Sequence, residues 1–142
     1  MQIHQDKKSY SYYYDQGTKK KDRFYQGGKE NTNIAVDKGG GDEFIMNGIG
    51  CDNRAYGGKG DNIFQIMYGC YNLNEVFGGE GIDTVNFCGK QDDYNISKMK
   101  SLSDPHYEIT HKSTGSKTII RDCEIIKFQY SGLLDMSPKP RY

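Results

Sequence analysis

The sequence of 142 residues contains no tryptophan, only three prolines and an apolar fraction of 35%. No apolar run approaches the roughly 20 residues that a membrane-spanning helix needs, so the sequence predicts no membrane span. The opening residues, MQIHQDKKSY, lack the apolar core of a cleaved signal peptide. Basic and acidic residues both number 19, which gives a net charge of zero and no overall positive field that would favour binding to nucleic acid.

The sequence also lacks the usual patterns of catalytic and zinc sites. The three histidines are far apart and form no H-E-x-x-H pattern, and no G-x-S-x-G motif is present. We therefore predict that the protein is not an enzyme. The sequence has four cysteines, none in C-x-x-C spacing: Cys51, Cys70, Cys88 and Cys123. Because their number is even, they could form two disulfides or remain free thiols.

Glycine is abundant, and 15 of the 18 glycines lie between Gly27 and Gly89. They mark a tandem unit of nine residues, G-G-x-G-x-D-x-U-x, in which U is apolar. The unit occupies 27–35, 38–46, 57–65, 69–77 and 78–86, a longer version spans 47–56, and extra residues separate some units. The apolar eighth positions are predicted to face the interior: Ile34, Ile45, Ala55 (or Arg54), Phe64, Val76 and Val85.

The chemistry of this unit favours a solenoid. Glycines permit a tight turn with positive φ, and the last three residues form a minimal strand whose central side chain points inward. One unit cannot bury its apolar residue alone, so the units must stack. Two units then make one coil, and stacked coils make two parallel sheets about one side chain apart.

The stretches GGKGDNIFQI and GGEGIDTVNF resemble the RTX, or haemolysin-type, calcium-binding repeat family. The resemblance implies a parallel β-roll that holds Ca²⁺ between the turns of successive coils. The segments DTVNFCGKQDDYNISK and HYEITHKSTGSKTIIRDCEIIKFQ are similar to the cap that follows the roll in this family. We expect an all-β fold, a short parallel β-roll of nonapeptide repeats capped by a small antiparallel sheet. Its parts are a polar leader or first edge strand (1–26), the roll (27–87) and the cap (88–142).

Calcium prefers six to eight oxygen ligands, and acidic glycine-rich turns can supply them. On one side of the predicted roll, the sixth positions of the units are Glu43, Asn62 and Asp83, with Asp42 and Asp61 beside them. We predict one site between Glu43 and the 57–62 turn, and another between Asp61 or Asn62 and Asp83. Six glycines would contribute carbonyl oxygens: Gly39, Gly41, Gly58, Gly60, Gly79 and Gly81. The opposite side is predicted to bind more weakly, because Asp52 is its single carboxylate.

The resemblance implies a non-catalytic calcium-binding module from the C-terminal region of a secreted bacterial toxin, protease or adhesin. Such a module would be exported without a cleaved N-terminal signal and would fold on binding Ca²⁺ outside the cell. Two alternatives remain open. One is a calcium-independent structural or interaction domain of a larger toxin assembly. The other is an adhesin module that binds carbohydrate or a host-surface receptor through a tyrosine-rich face.

Overall fold

The computed structural model describes residues 1–129, which form an all-β protein with one short 3₁₀ turn, η1 (Gln91–Asp93). Within these residues there is no helix of the length and apolarity needed to cross a bilayer. The strands are β1 (Gln2–Gln5), β2 (Tyr12–Gln16), β3 (Arg23–Gln26), β4 (Thr32–Val36), β5 (Glu43–Met46), β6 (Asp52–Tyr56), β7 (Ile63–Ile66), β8 (Leu73–Phe77), β9 (Thr84–Phe87), β10 (Tyr94–Met99), β11 (His106–His111), β12 (Lys117–Arg121) and β13 (Ile125–Phe128).

The strands form two sheets that face each other across a thin core. Sheet A has the order β1-β3-β5-β7-β9-β13, and sheet B has the order β10-β11-β12-β8-β6-β4-β2. The chain alternates between the sheets, and the strands of successive coils pair in parallel. The result is a β-solenoid of about four turns, consistent with a β-roll. The predicted fold class is therefore confirmed.

Paired residues in adjacent coils from β1 to β9 are 20 or 21 positions apart, whereas β12 and β13 pair with residues 44 and 41 positions earlier. Glu43 pairs with Arg23 and with Ile63, and Ile63 pairs with Thr84. This spacing equals two nine-residue units plus the extra residues at the joins. Residues 1–26, predicted as a leader or a first edge strand, contain β1, β2 and β3, which stack on the coils that follow.

The C-terminal part combines an antiparallel cap with one further coil. Strands β10, β11 and β12 pair antiparallel, whereas β12 and β13 also add in parallel to β8 and β9. An open solenoid end exposes unpaired backbone, and this arrangement covers that end of sheet B. Residues 130–142 of the predicted cap lie outside the described residues.

The core contains columns of identical or similar side chains. Phe24, Phe44 and Phe64 are fully buried and stack with ring centroids 4.9 Å apart in both contacts. The predicted inward positions of Ile34 and Ile45 are wrong, because both are only half-buried and lie on the outer faces. Side chains alternate along a strand, so a shift of one residue reverses the face. In β5 the inward residues are Phe44 and Met46.

A second column is polar. The amide Nδ2 of Asn33 donates to Asn53 Oδ1 at 2.8 Å, and that of Asn53 donates to Asn74 Oδ1 at 2.9 Å. Asn74 Nδ2 continues to the hydroxyl of Thr118 at 3.2 Å. All four residues are buried, so this ladder provides partners for amide groups that would otherwise be costly to bury, and Asn33 Oδ1 at its start has no partner. The ladder also joins successive coils without an ion.

The four cysteines are free thiols. Cys51 lies just before β6 and Cys70 lies in the turn before β8, so the two residues are in adjacent coils. Cys51 is buried, whereas Cys70 is exposed. No disulfide therefore links the two coils that carry Cys51 and Cys70.

Candidate functional site

The turns that lead from sheet B to sheet A stack along one side of the solenoid. Four of these turns have six residues each, at 17–22, 37–42, 57–62 and 78–83. Their backbones approach closely, since a Cβ at Gly60 (φ 93°) would lie 2.7 Å from the amide nitrogen of Gly41. The last residue of each turn is buried, and with Glu124 these residues form what we call the turn column: Asp22, Asp42, Asn62, Asp83 and Glu124.

Hydrogen bonds between coils hold the turn column. The backbone N–H of Asp42 donates to Asn62 Oδ1 at 2.8 Å, and the N–H of Asn62 donates to Asp83 Oδ1 at 2.9 Å. The N–H of Asp83 donates to Glu124 Oε1 at 2.8 Å, and the N–H of Asp22 donates to Asp42 Oδ1. Each position therefore needs a side-chain oxygen, which explains why Asp, Asn and Glu occupy it.

Three carboxylates meet at the first two of these turns. One oxygen from each of Asp22, Asp37 and Asp42 lies within 4.8 Å of the others. The three residues are 2%, 6% and 1% exposed. Asp37 occupies the first position of its turn, where the other three six-residue turns have glycine. We call this group the three-aspartate cluster.

Two oxygens of the three-aspartate cluster accept no hydrogen bond from an N–H or hydroxyl group of the described residues, and only a proton shared between the two carboxyls would link them. Asp42 Oδ1 accepts the N–H of Asp22, and Asp37 Oδ2 accepts the N–H of Gly39 at 2.9 Å. The remaining oxygens, Asp37 Oδ1 and Asp42 Oδ2, are buried and unpartnered. No lysine or arginine side chain among residues 1–129 forms an ion pair with these three aspartates.

Asp22 differs from its two neighbours. Its carboxylate accepts hydrogen bonds from the N–H and the hydroxyl of Thr18, and the amino group of Met1 lies 3.4 Å from Oδ1. Burial raises the pKa of Asp22, but these contacts outweigh burial and leave the pKa below its usual value. Asp22 is thus held as a carboxylate.

The pKa of Asp42 shifts in the opposite direction. Burial, followed by a side-chain hydrogen bond with Asp37, raises the pKa of Asp42 to about 8, and the negative charge of Asp37 adds to the rise. A buried carboxylate next to other carboxylates is destabilised unless a proton or a cation neutralises it. The cluster is therefore a place where a proton and a cation would compete.

Gly17 makes the close approach of two of these carboxylates possible. A Cβ at Gly17 would lie 2.8 Å from Asp22 Oδ2 and 2.9 Å from Asp37 Oδ1. A larger residue would push at least one carboxylate away. The absence of a side chain at this position therefore keeps the cluster compact.

The structure brings most of the sequence-predicted metal ligands to this side of the solenoid. Asn62 and Asp83 belong to the turn column, and Asp61 Oδ1 accepts the N–H of Ile82 at 2.7 Å. Six predicted glycines lie in the same stack of turns: Gly39, Gly41, Gly58, Gly60, Gly79 and Gly81.

Two predicted ligands lie elsewhere. Glu43 is the first residue of β5 and faces outward, where it forms an ion pair with Arg23 at 2.7 Å. Asp52 begins β6 on the outer face of sheet B and pairs with Arg54 at 3.0 Å. Neither carboxylate joins the turn column or the three-aspartate cluster.

The second predicted position, between Asn62 and Asp83, contains hydrogen bonds within the protein. Asn62 Nδ2 donates to Asp83 Oδ1 at 3.0 Å and to the carbonyl of Gly60 at 3.3 Å. Asp83 Oδ2 is buried without a partner, and burial raises the pKa of Asp83 to about 7. The amide group of Asn62 thus occupies the position next to the Asp83 carboxylate where a cation could otherwise bind.

Sequence reasoning missed Asp22 and Asp37. The turn that ends at Asp22, GTKKKD, has no glycine pair, and Asp37 stands where the repeat has glycine. The signal that could have found Asp22 is a spacing of 20 residues. Phe24, Phe44 and Phe64 recur at this spacing, and aligning the sequence on them places Asp22 opposite Asp42.

Comparisons of the chain with protein-family models, with curated proteins and with solved structures found no match. The fold defines the class, a β-solenoid protein with parallel coils.

Proposed function

We propose that the protein is a non-catalytic β-roll module that binds a divalent cation, Ca²⁺ in the first place, and is stabilised by it. The observation that carries the proposal is the pair of buried, unpartnered oxygens, Asp37 Oδ1 and Asp42 Oδ2, next to the carboxylate of Asp22. Uncompensated buried carboxylates destabilise a fold, and a cation among them would remove that penalty.

The donor set favours a hard cation. The cluster offers carboxylate oxygens and contains neither sulfur nor imidazole. Oxygen donors suit Ca²⁺ and Mg²⁺, whereas zinc and copper sites normally include histidine or cysteine. Magnesium usually retains several waters and takes one or two carboxylates, so three convergent carboxylates favour Ca²⁺.

The position of the cluster suggests what binding would do. Asp22 ends one turn, and Asp37 and Asp42 begin and end the next turn. A cation held by all three would tie two successive coils together. An ion that binds only the folded chain stabilises it by mass action, so the module would be more stable where calcium is abundant.

The wider setting is part of the same proposal and is supported by the RTX resemblance. The module would belong to a secreted bacterial toxin, protease or adhesin, with export through a route that uses no cleaved signal. Calcium outside the cell would then complete folding. The attached functional domain would supply the activity.

Thermal melts of the full chain test the proposal. Chelator-treated protein is melted in EDTA, in CaCl₂ and in MgCl₂, with far-ultraviolet circular dichroism as the readout. We expect a higher melting temperature in Ca²⁺ than in EDTA, and a smaller rise in Mg²⁺. Identical melts in EDTA and in millimolar Ca²⁺ would refute the proposal.

A second candidate function, a calcium-independent structural or interaction domain, is favoured by the amide contacts. Asn62 bonds to Asp83, and the ladder from Asn33 to Thr118 joins coils without any ion. This candidate requires the native spectrum and the same melting temperature in EDTA. The same melts therefore separate the two functions.

A further inference from the structure

Among residues 1–129, strand β2 is an edge of sheet B with no strand paired on its other side. It pairs with β4 on one side and is the last strand in the sheet order. The carbonyl of Ser11 accepts the N–H of Thr32, and the N–H of Gly17 donates to the carbonyl of Val36. Backbone groups alternate in direction along a strand, so the N–H and C=O groups of Tyr12, Tyr14 and Gln16 point away from the sheet. These groups could pair with another strand.

Exposed aromatic side chains line this edge. Tyr12 is 67% exposed and Tyr14 is 51% exposed, on the outer face of the sheet. Tyr10, just before β2, is 67% exposed, and the ammonium of Lys29 lies 5.6 Å from the centre of its ring. Tyrosines of this kind provide apolar contact area together with a polar group, and they are enriched at protein interfaces.

Positive charge flanks both ends of the edge strand. Residues 7–8 and 19–21 are all lysines, all exposed, and none forms an ion pair within residues 1–129. Two nearby acids are already engaged, whereas Glu30 is exposed beside Lys29 and offsets the charge of that residue. Asp6 lies 3.3 Å from His4 Nδ1, and Asp15 accepts a hydrogen bond from Gln5 Nε2 at 3.0 Å. The chain as a whole is neutral, so this local excess of positive charge is a feature of the edge.

The charge pattern argues against a second copy of the chain as the occupant. Two copies paired through β2 about a twofold axis would run antiparallel. With Tyr14 opposite Tyr14, the turn that contains residues 7–8 of one copy would approach the turn that contains residues 19–21 of the other. Lysine would then oppose lysine at both ends, which is unfavourable.

We propose that the free edge of β2 is the docking site for an extended, acidic polypeptide segment of a partner protein. The segment adds one strand to sheet B through backbone hydrogen bonds to Tyr12, Tyr14 and Gln16. Its side chains pack on the exposed tyrosines, and acidic residues at its ends meet the two lysine groups. This proposal is independent of calcium binding.

Fluorescence anisotropy with synthetic peptides tests the proposal on the full chain. The probe has a Thr-Val-Thr-Val-Thr centre with two glutamates at each end, and its counterpart carries lysines instead. We expect the acidic probe to bind and the basic counterpart not to bind. Raising NaCl from about 0.05 M to about 0.5 M shortens the Debye length severalfold, so the affinity of the acidic probe should fall.

Two variants and a modified probe locate the contact. Lys8→Glu should weaken binding of the acidic probe by roughly tenfold, a change within the range of measured charge-pair couplings. Lys127→Glu, the same change on an exposed residue of β13, should leave affinity unaltered. N-methylation of the probe amides that would donate to the carbonyls of Tyr12 and Tyr14 should abolish binding. N-methylation of the alternate amides, which point away from β2, should not abolish it. The proposal is overturned if the acidic probe does not bind, if both probes bind equally, or if the two variants weaken binding equally.

Discussion

Asp37→Asn gives the most informative perturbation of the three-aspartate cluster, because its expected effect has opposite signs with and without calcium. In the wild-type protein, Asp37 Oδ2 accepts the N–H of Gly39, while Oδ1 is unpartnered beside Asp42. The amide of the variant can keep the bond to Gly39 through its oxygen. Its NH₂ group then takes the place of the unpartnered oxygen and can donate to Asp42, as Asn62 donates to Asp83.

The magnitude follows from that exchange. A hydrogen bond to a charged group contributes about 1.5–3 kcal/mol, so the variant should be more stable than wild type in EDTA by a similar amount. At about 2–4 °C per kcal/mol for a chain of this size, the melting temperature should rise by several degrees. In calcium at 100 times the dissociation constant, the wild type should gain about 2.7 kcal/mol, whereas the variant should gain little.

The assay is a pair of melts for each protein, in EDTA and in CaCl₂, at a pH above the pKa of about 8 that Asp42 has in the apo protein. Asp92→Asn is the matched control, because Asp92 is exposed and lies in η1, outside the stacked turns that contain the predicted ligands. The control should behave like wild type in both conditions. If Asp37→Asn is less stable in EDTA, or if it keeps the full calcium response, our interpretation of the cluster is wrong.

Two further predictions concern the core and the cap. Phe44→Ala should lower the free energy of unfolding, measured by urea titration, by about 3–5 kcal/mol, because Phe44 is fully buried between two stacked rings. Ile45→Ala, on the outer face of the same strand, should lower it much less. Equal losses would mean that the inward face of β5 is misassigned. Hydrogen bonds to the carbonyl of Asp104 and to Glu108 raise the pKa of His106, although burial and the cation of Arg121 oppose the shift. The stabilisation from protonated His106 should therefore be present below the unfolded pKa of about 6.5 and lost as pH rises through the folded pKa; an NMR titration midpoint below about 6.5 would contradict this assignment.

The architecture was predictable from the sequence because its signals are local. Glycines with positive φ at the turns and apolar residues between them define a unit that has to stack. Phe64, Val76 and Val85 face the core as expected. Ile34 and Ile45 do not, because the outer faces of this thin solenoid also carry apolar side chains, and a repeat with variable joins leaves the register uncertain by one residue.

The candidate site was predictable only in part because it depends on contacts between coils. Asn62 and Asp83 occupy the same position in two well-formed repeats, which predicts that they lie in one column. Glu43 was assigned to that column one residue out of register, and Asp42 is the residue that aligns with Asn62. Asp37 is unique to its turn, and no periodic pattern identifies a residue that interrupts the repeat.

A crystal structure of the chain grown in saturating CaCl₂ tests the central claim most directly. We expect anomalous density among the carboxylates of Asp22, Asp37 and Asp42, with calcium–oxygen distances of roughly 2.3–2.6 Å. Ordered carboxylates with no ion between them would contradict the claim. An ion located only between the 57–62 and 78–83 turns would also contradict it, and would restore the site predicted from the sequence.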